Sequence, residues 1–230
     1  MSNMASHPPL FYLASQSPRR VELLQQLGFR FEKLCIDIDE QRNPGELPEP
    51  FVSRLANEKA LAGYACLSDK RPLNSIDSTD NGISNVDRNT ENSVILAADT
   101  VVAIDDTILG KPSDRAQAEQ MLMALSGKTH CVYTGVAVLF KAADAPSYTM
   151  QTIVSKTEVR FRTISASEVK WYWESGEPAD KAGGYGIQGL GAIFVQSING
   201  SYTGVVGLPV YESCELLKRV GLTPGVFYAQ

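Results

Sequence analysis

The chain is poor in residues that build metal centres and disulfide frameworks. It has two histidines, His7 and His130, and four cysteines, Cys35, Cys66, Cys131 and Cys214. No two cysteines form a Cys-x-x-Cys pair. That spacing argues against a zinc site and leaves the thiols as incidental, reduced groups. A basic excess is also missing: 21 Lys and Arg face 26 Asp and Glu, for a net charge of −5. This argues against a general binder of nucleic acid or anionic membrane. No apolar run approaches the ~18 residues of a membrane span, and no N-terminal stretch resembles a signal peptide. A soluble, cytoplasmic protein is therefore expected. G-x-x-x-x-G-K-[ST] is absent, which excludes a P-loop.

What is present is ordinary globular composition, with 43% hydrophobic and 20% charged residues among 230. Whole-chain disorder is excluded, and a core can form without a staple. Residues 1–9 read as a disordered lead-in and residues 10–230 as one domain. Residues 68–93 interrupt it: fourteen of 26 positions are Ser, Asn or Asp, with no aromatic. Such a segment buries too little apolar surface to offset its ordering entropy. It reads as a surface insertion rather than a boundary.

The apolar patterning predicts alternating strands and helices. Strands are expected at 11–15, 29–36, 93–105, 107–110, 129–141, 149–163 and 193–198. Helices are expected from Pro18 to Gly28, from about Pro50 to Leu67, and from a Ser113 cap to Leu125. Two more are expected at 165–175 and near 208–219. The Gly-rich run 183–191 reads as loop. The long segments on either side of DAPS (144–147) read as an antiparallel hairpin, so the sheet is mixed and the class is α/β.

Four constellations carry chemistry. S-Q-S-P-R-R (15–20) joins a strand to a helix whose free N–H groups favour an anion. Arg19 and Arg20 sit there against the helix dipole. The residues leave open a phosphate cradle or solvated arginines. A-A-D-T (97–100) places Asp99 after an apolar strand, and Asp39-Glu40 follows an earlier one. Two carboxylates can hold Mg²⁺, although an Asp capping a turn is equally compatible. L-G-K-P-S (109–113) projects Lys111 from a short loop, and Lys59 lies within a helix. Either could be a surface lysine. Finally, E-P-A-D-K-A-G-G-Y-G-I-Q-G (177–189) packs glycines around Tyr185 and Gln188, which permits close backbone approach to a ligand. The Gln188 amide offers both a donor and an acceptor, suited to a nucleobase edge.

Seven ordered blocks resemble the Maf family of nucleoside triphosphate pyrophosphatases. They are LASQSPRRVELLQQLGF (13–29), EKA (58–60), AADTVV (97–102), LGKP (109–112), YTGV (133–136), SGEPADKAGGYGIQG (175–189) and VVGLP (205–209). The resemblance implies a mixed, elongated sheet flanked by helices, with two lobes and a central cleft, related to the inosine-triphosphatase-like enzymes. It also implies hydrolysis of a nucleoside triphosphate to monophosphate and pyrophosphate, nearest to the branch acting on dTTP and UTP. Modified pyrimidine nucleotides fit the same reading. Asp99 matches the family's proton acceptor, and Arg19, Thr100 and Gln188 match positions associated with substrate choice. Two departures stand out. The 68–93 insertion lengthens one connection, and Thr203-Gly204 replaces a Ser-Asn pair found in many relatives.

The mechanism expected from this set is attack of water on the α-phosphorus. Asp99 would activate the water, and Asp99 and Glu40 would hold a divalent cation, Mg²⁺ or Mn²⁺. Arg20, Lys59 and Lys111 would neutralise the triphosphate, and Ser15 with its neighbouring N–H groups would hold a phosphate. The expected partner is a small nucleoside triphosphate, with no nucleic acid and no membrane; a homodimer follows from the resemblance. The rival reading is a nucleotide-binding regulator of cell division with little turnover. A phosphotransferase and an interaction module built on the hairpin are further rivals.

Overall fold

A computed structural model describes residues 9–68, 92–142 and 145–225. Residues 1–8 and most of the polar insertion, 69–91, lie outside the described residues, as do 143–144 and 226–230. The long strands form where apolar, β-branched residues run on. Strand β1 is Leu10–Ala14, β3 is Ser93–Ile104, β5 is Thr129–Lys141 and β6 is Thr149–Phe161. Short strands complete the sheet: β2 (Glu32–Lys33), β4 (Thr107–Leu109) and β7 (Val195–Asn199). The order is β2-β1-β3-β5-β6-β7, with β4 also on β3. Strand β1 runs parallel to β2 and β3, and all other pairs are antiparallel. The expected mixed α/β sheet and hairpin are both present.

Strand β3 positions the site. Its first half pairs with β1 as far as Ala14 opposite Ala97. Its second half pairs on the same edge with β4, from Val102 opposite Leu109. Among the described residues Ala98 to Val101 therefore have no strand neighbour on that edge, and Asp99 and Thr100 sit in this gap. The opposite edge pairs continuously with β5, with Asp99 against Gly135 and Thr100 against Thr134.

Side chains alternate across a strand, and β3 separates its neighbours accordingly. Ile95, Ala97, Val101 and Ala103 face helix α2 (Pro48–Ser68). Val94, Leu96 and Ala98 face α1 (Pro18–Gln26) and the C-terminal α6 (Val210–Arg219). Val102 and Ile104 face α3 (Arg115–Leu125) and α4 (Ala166–Glu174). One face thus carries a single long helix. The other carries two separate helical clusters.

Several boundaries differ from expectation. Only Glu32–Lys33 of the 29–36 strand joins the sheet, because the chain soon leaves β1's edge to reach Glu40. Asp114, not Ser113, caps α3, accepting from the Gln117 N–H at 2.9 Å. The run 183–191 is not plain loop: 3₁₀ turns cover Ala182–Gly184 and Leu190–Phe194. Ile193 and Phe194 are thereby taken from the last strand. A short helix, α5 (Tyr202–Val206), precedes α6 and delays its start to Val210.

Candidate active site

The gap in β3 opens onto a cleft of about 900 Å³, within the range that holds small molecules. Ser15, Arg19, Arg20, Glu40, Lys59, Asp99, Thr100, Lys111 and Gln188 all line it. Every residue expected at the site is therefore brought to one cavity, though not to one cluster.

On the α2 face, Asp99 meets Lys59. Residues Phe51, Val52, Leu55, Ala56, Lys59, Ala60 and Gly63 form the buried stripe of α2, so Lys59 is the one charge on a face otherwise packed against the sheet. Its ammonium donates to Asp99 Oδ1 at 2.6 Å and pairs with Glu40 Oε1 at 2.7 Å. Lys59 and Asp99 are buried, whereas Glu40 is about half exposed. The close approach of α2 depends on Gly135, the partner of Asp99 across the ladder. A Cβ there would overlap the Val52 carbonyl, and glycine is the residue that permits such backbone contact.

Among the described residues no group of three or more His, Cys, Asp and Glu is placed to hold a metal. Asp99 and Glu40 nevertheless converge on one cationic point, the Lys59 ammonium. That donor set fits Mg²⁺, which takes one or two carboxylates together with substrate phosphates and water.

On the opposite face stands Arg20. Pro18 opens α1 and Ser17 occupies its N-cap without a side-chain cap bond. Instead Ser15 Oγ accepts from the Ser17 N–H at 3.2 Å and from Arg20 Nη1 at 3.0 Å. Arg20 Nε donates to the Gly207 carbonyl at 2.8 Å and Nη2 to Thr100 Oγ1 at 3.1 Å. Burial lowers the Arg20 pKa, and the Asp99 charge opposes that shift. Three of its N–H groups are thus committed to the protein, and one N–H of the expected phosphate cradle is turned onto Ser15. Arg19 is only loosely tethered, 4.0 Å from the exposed Asp180.

The Gly-rich segment lines the cleft and is held by Tyr172, Glu177 and His130, to which the sequence assigned no role. Glu177 accepts from Tyr172 Oη (2.7 Å), the Leu190 N–H (2.7 Å) and the Gly191 N–H (3.1 Å). Burial pushes its carboxyl up, and these bonds outweigh that and hold it below the usual range. A Cβ at Gly189 would overlap this carboxylate. Tyr185 is buried, with its hydroxyl 2.8 Å from His130 Nε2. Burial brings His130 down to about 4, so the ring is neutral near pH 7. Gln188 and Lys111 are exposed at the cleft wall, and the Gly183 N–H ties the two loops by donating to the Gly110 carbonyl at 2.9 Å. A carboxylate six residues ahead of a glycine run was the available signal for Glu177. Nothing local marked His130.

Among the described residues no helix is long and apolar enough to cross a membrane. Comparison with known proteins matches residues 10–220 to the family described as Maf-like protein. A relative from Pseudoalteromonas atlantica named dTTP/UTP pyrophosphatase is 44% identical over 213 residues, covering 93% of this chain and 98% of the relative. Relatives of the same name from Saccharophagus degradans and Salmonella typhimurium are 47% and 48% identical, over 90% of this chain and 86% and 91% of their own lengths. The family match spans both halves of the sheet and every residue lining the β3 gap, and the chain belongs to the Maf family.

Proposed function

We propose that this chain is a nucleoside triphosphate pyrophosphatase that hydrolyses dTTP and UTP to the monophosphate and pyrophosphate. The observation that carries this is the β3 gap. It places a lysine-bound carboxylate and a fixed threonine hydroxyl side by side in one cleft, in a chain 44–48% identical to proteins of that name. Modified pyrimidine triphosphates are further candidate substrates.

In the proposed reaction water attacks the α-phosphorus in line with the departing pyrophosphate. Lys59 engages Asp99 Oδ1, so Oδ2 is the oxygen that would take the proton from water. Lys59 and Lys111 offset charge that builds on the leaving group. Ser15 and the first turn of α1 face a phosphate, and Arg20 adds a buried positive charge. Arg19, Thr100 and Gln188 read the base. Asp99 and Glu40 would hold a divalent cation, Mg²⁺ or Mn²⁺, which when bound supplies Lewis-acid stabilisation and lowers the pKa of coordinated water. We place the enzyme in the cytoplasm as a homodimer, with residues 10–230 as one catalytic unit and 68–93 as its surface insertion.

The test is incubation of the purified chain with dTTP, UTP and the other common triphosphates, with Mg²⁺ or Mn²⁺. Monophosphate and pyrophosphate in equal amounts are expected, with dTTP and UTP preferred. Diphosphate and inorganic phosphate as products would overturn the reaction type. Tight nucleotide binding without turnover would return the regulator reading. Gln188→Glu is expected to alter the preference among the bases, and an unchanged profile would remove Gln188 from base reading.

A further inference from the structure

The hydroxyls of Thr100 and Thr134 have a fixed direction. Thr134 Oγ1 lies 2.8 Å from the Gly204 carbonyl oxygen, which can only accept. The single Thr134 proton is therefore committed to Gly204. Thr100 Oγ1 lies 3.0 Å from Thr134 Oγ1, so at this contact Thr100 must donate. Thr100 Oγ1 in turn accepts from Arg20 Nη2 at 3.1 Å. A hydroxyl has one proton and two lone pairs. Thr100 thus has no proton left for the cleft it lines, only one lone pair.

From this chain we propose that Thr134 is a positioning residue for specificity. By consuming the Thr100 proton it makes Thr100 a pure acceptor, which selects a nucleobase presenting an N–H donor. The inference rests on the pyrimidine triphosphatase reading and deepens it. An acceptor facing a phosphate oxygen would repel it, so Thr100 does not belong to the phosphate cradle. Uracil and thymine carry a donor at N3–H, and cytosine carries a lone pair at the same ring position. A Thr100 free to rotate would accept either base. A Thr100 locked through Thr134 and Gly204 opposes cytosine with two lone pairs face to face. Sites built to bond a donor reject analogues lacking it far more strongly than sites that merely exclude by size. The alternative donor on the substrate is a sugar hydroxyl.

The experiment compares UTP, CTP and N3-methyl-UTP, and dTTP with its 3′-deoxy analogue, on the wild-type chain and on Thr134→Val and Thr134→Ser. Valine keeps the shape of threonine and removes the acceptor, which frees the Thr100 proton. Thr134→Val is expected to lower the UTP/CTP ratio of kcat/KM by about tenfold or more, chiefly by improving CTP. Thr134→Ser keeps the oxygen and is expected to keep the ratio. A role in folding alone would lower kcat/KM for both nucleotides together and leave their ratio unchanged, and that result overturns the proposal. On the wild-type chain, which needs no variant to fold, N3-methyl-UTP is expected to lose about 100-fold or more in kcat/KM relative to UTP. Hydrolysis of N3-methyl-UTP like UTP overturns the proposal, as does a Thr134→Val effect confined to the 3′-deoxy comparison. Failure of the wild-type chain to hydrolyse any triphosphate would instead overturn the underlying function.

Discussion

Asp99 and Thr100 are consecutive on β3, yet they stand in opposite chemical surroundings. Asp99 faces α2 and ends in charge: an ammonium 2.6 Å away with a second carboxylate beyond it. Thr100 faces α1 and α5 and ends in a directed chain of hydrogen bonds from Arg20 through Thr134 to Gly204. The pleat of one strand separates the proposed reacting side from the proposed reading side across a single peptide bond. The gap between β1 and β4 exposes both sides to the same cleft. If the two sides are independent, lesions on one should leave the other's readout intact.

The largest effect is expected from Asp99→Asn. Turnover should fall by about 100-fold or more, the range for loss of an acid–base group. The UTP/CTP ratio should stay within about twofold, because both nucleotides lose the same transition-state interaction. Steady-state pyrophosphate release measures both. Near-full turnover would remove Asp99 as proton acceptor, and a collapsed ratio would show that the faces are coupled.

Gly135→Ala attacks the same face from beneath. The added methyl overlaps the Val52 carbonyl and must push α2 outward, moving Lys59 from Asp99. Misplacement by about 1 Å can cost on the order of 100-fold in rate, and overpacking costs about 1–3 kcal/mol of stability. Rate and thermal midpoint should both fall while base preference persists. An unchanged rate would mean that the position of Lys59 is not critical.

These two tests also mark what the sequence made legible. Asp99 and Lys59 were identifiable as chemistry-bearing residues, and consecutive residues of any strand point apart, so the strand assignment of 93–105 placed Asp99 and Thr100 on opposite faces. Apolar runs announced β1, β3 and β5, and β-branched residues at alternating positions announced β6. Helix α5 was not legible, because Tyr202–Val206 contains a glycine and three β-branched residues, and its helicity depends on the Ser201 cap and on tertiary contact. The locks on the site were invisible for another reason. Thr134 with Gly204, His130 with Tyr185, and Arg20 with Gly207 join residues 55 to 187 positions apart, and no local pattern encodes such pairs.

His130 offers a test on the reading side. Its folded pKa of about 4 lies below the ordinary 6.5. Between those values the unfolded chain binds a proton that the native chain does not, so stability is full above about 6.5 and declines as pH falls toward 4. Burial is the cause, and the loss is on the order of 3 kcal/mol over that window. The thermal midpoint should fall between pH 7 and pH 4.5. His130→Phe should flatten that slope while lowering the midpoint at pH 7, because Tyr185 loses its partner. An equally steep slope in the variant would place the acid sensitivity elsewhere.

The smallest effect is expected where the two sides of the cleft mouth touch. Arg19 and Asp180 are 4.0 Å apart and Asp180 is two-thirds exposed, so solvent screens the pair. Asp180→Asn should change stability by no more than about 0.5 kcal/mol. It should nevertheless raise KM for UTP by about two- to threefold with kcat unchanged, because Asp180 also pairs with Lys181 at 2.6 Å and both cations at the cleft mouth lose a partner, and a weakened positioning contact acts on binding. A drop in kcat would connect this contact to Asp99 and the reacting side. A fall of many degrees in the thermal midpoint would make it a structural clasp between α1 and the Gly-rich segment. With neither change, the mouth contact acts on substrate binding alone, as expected of the proposed reading side.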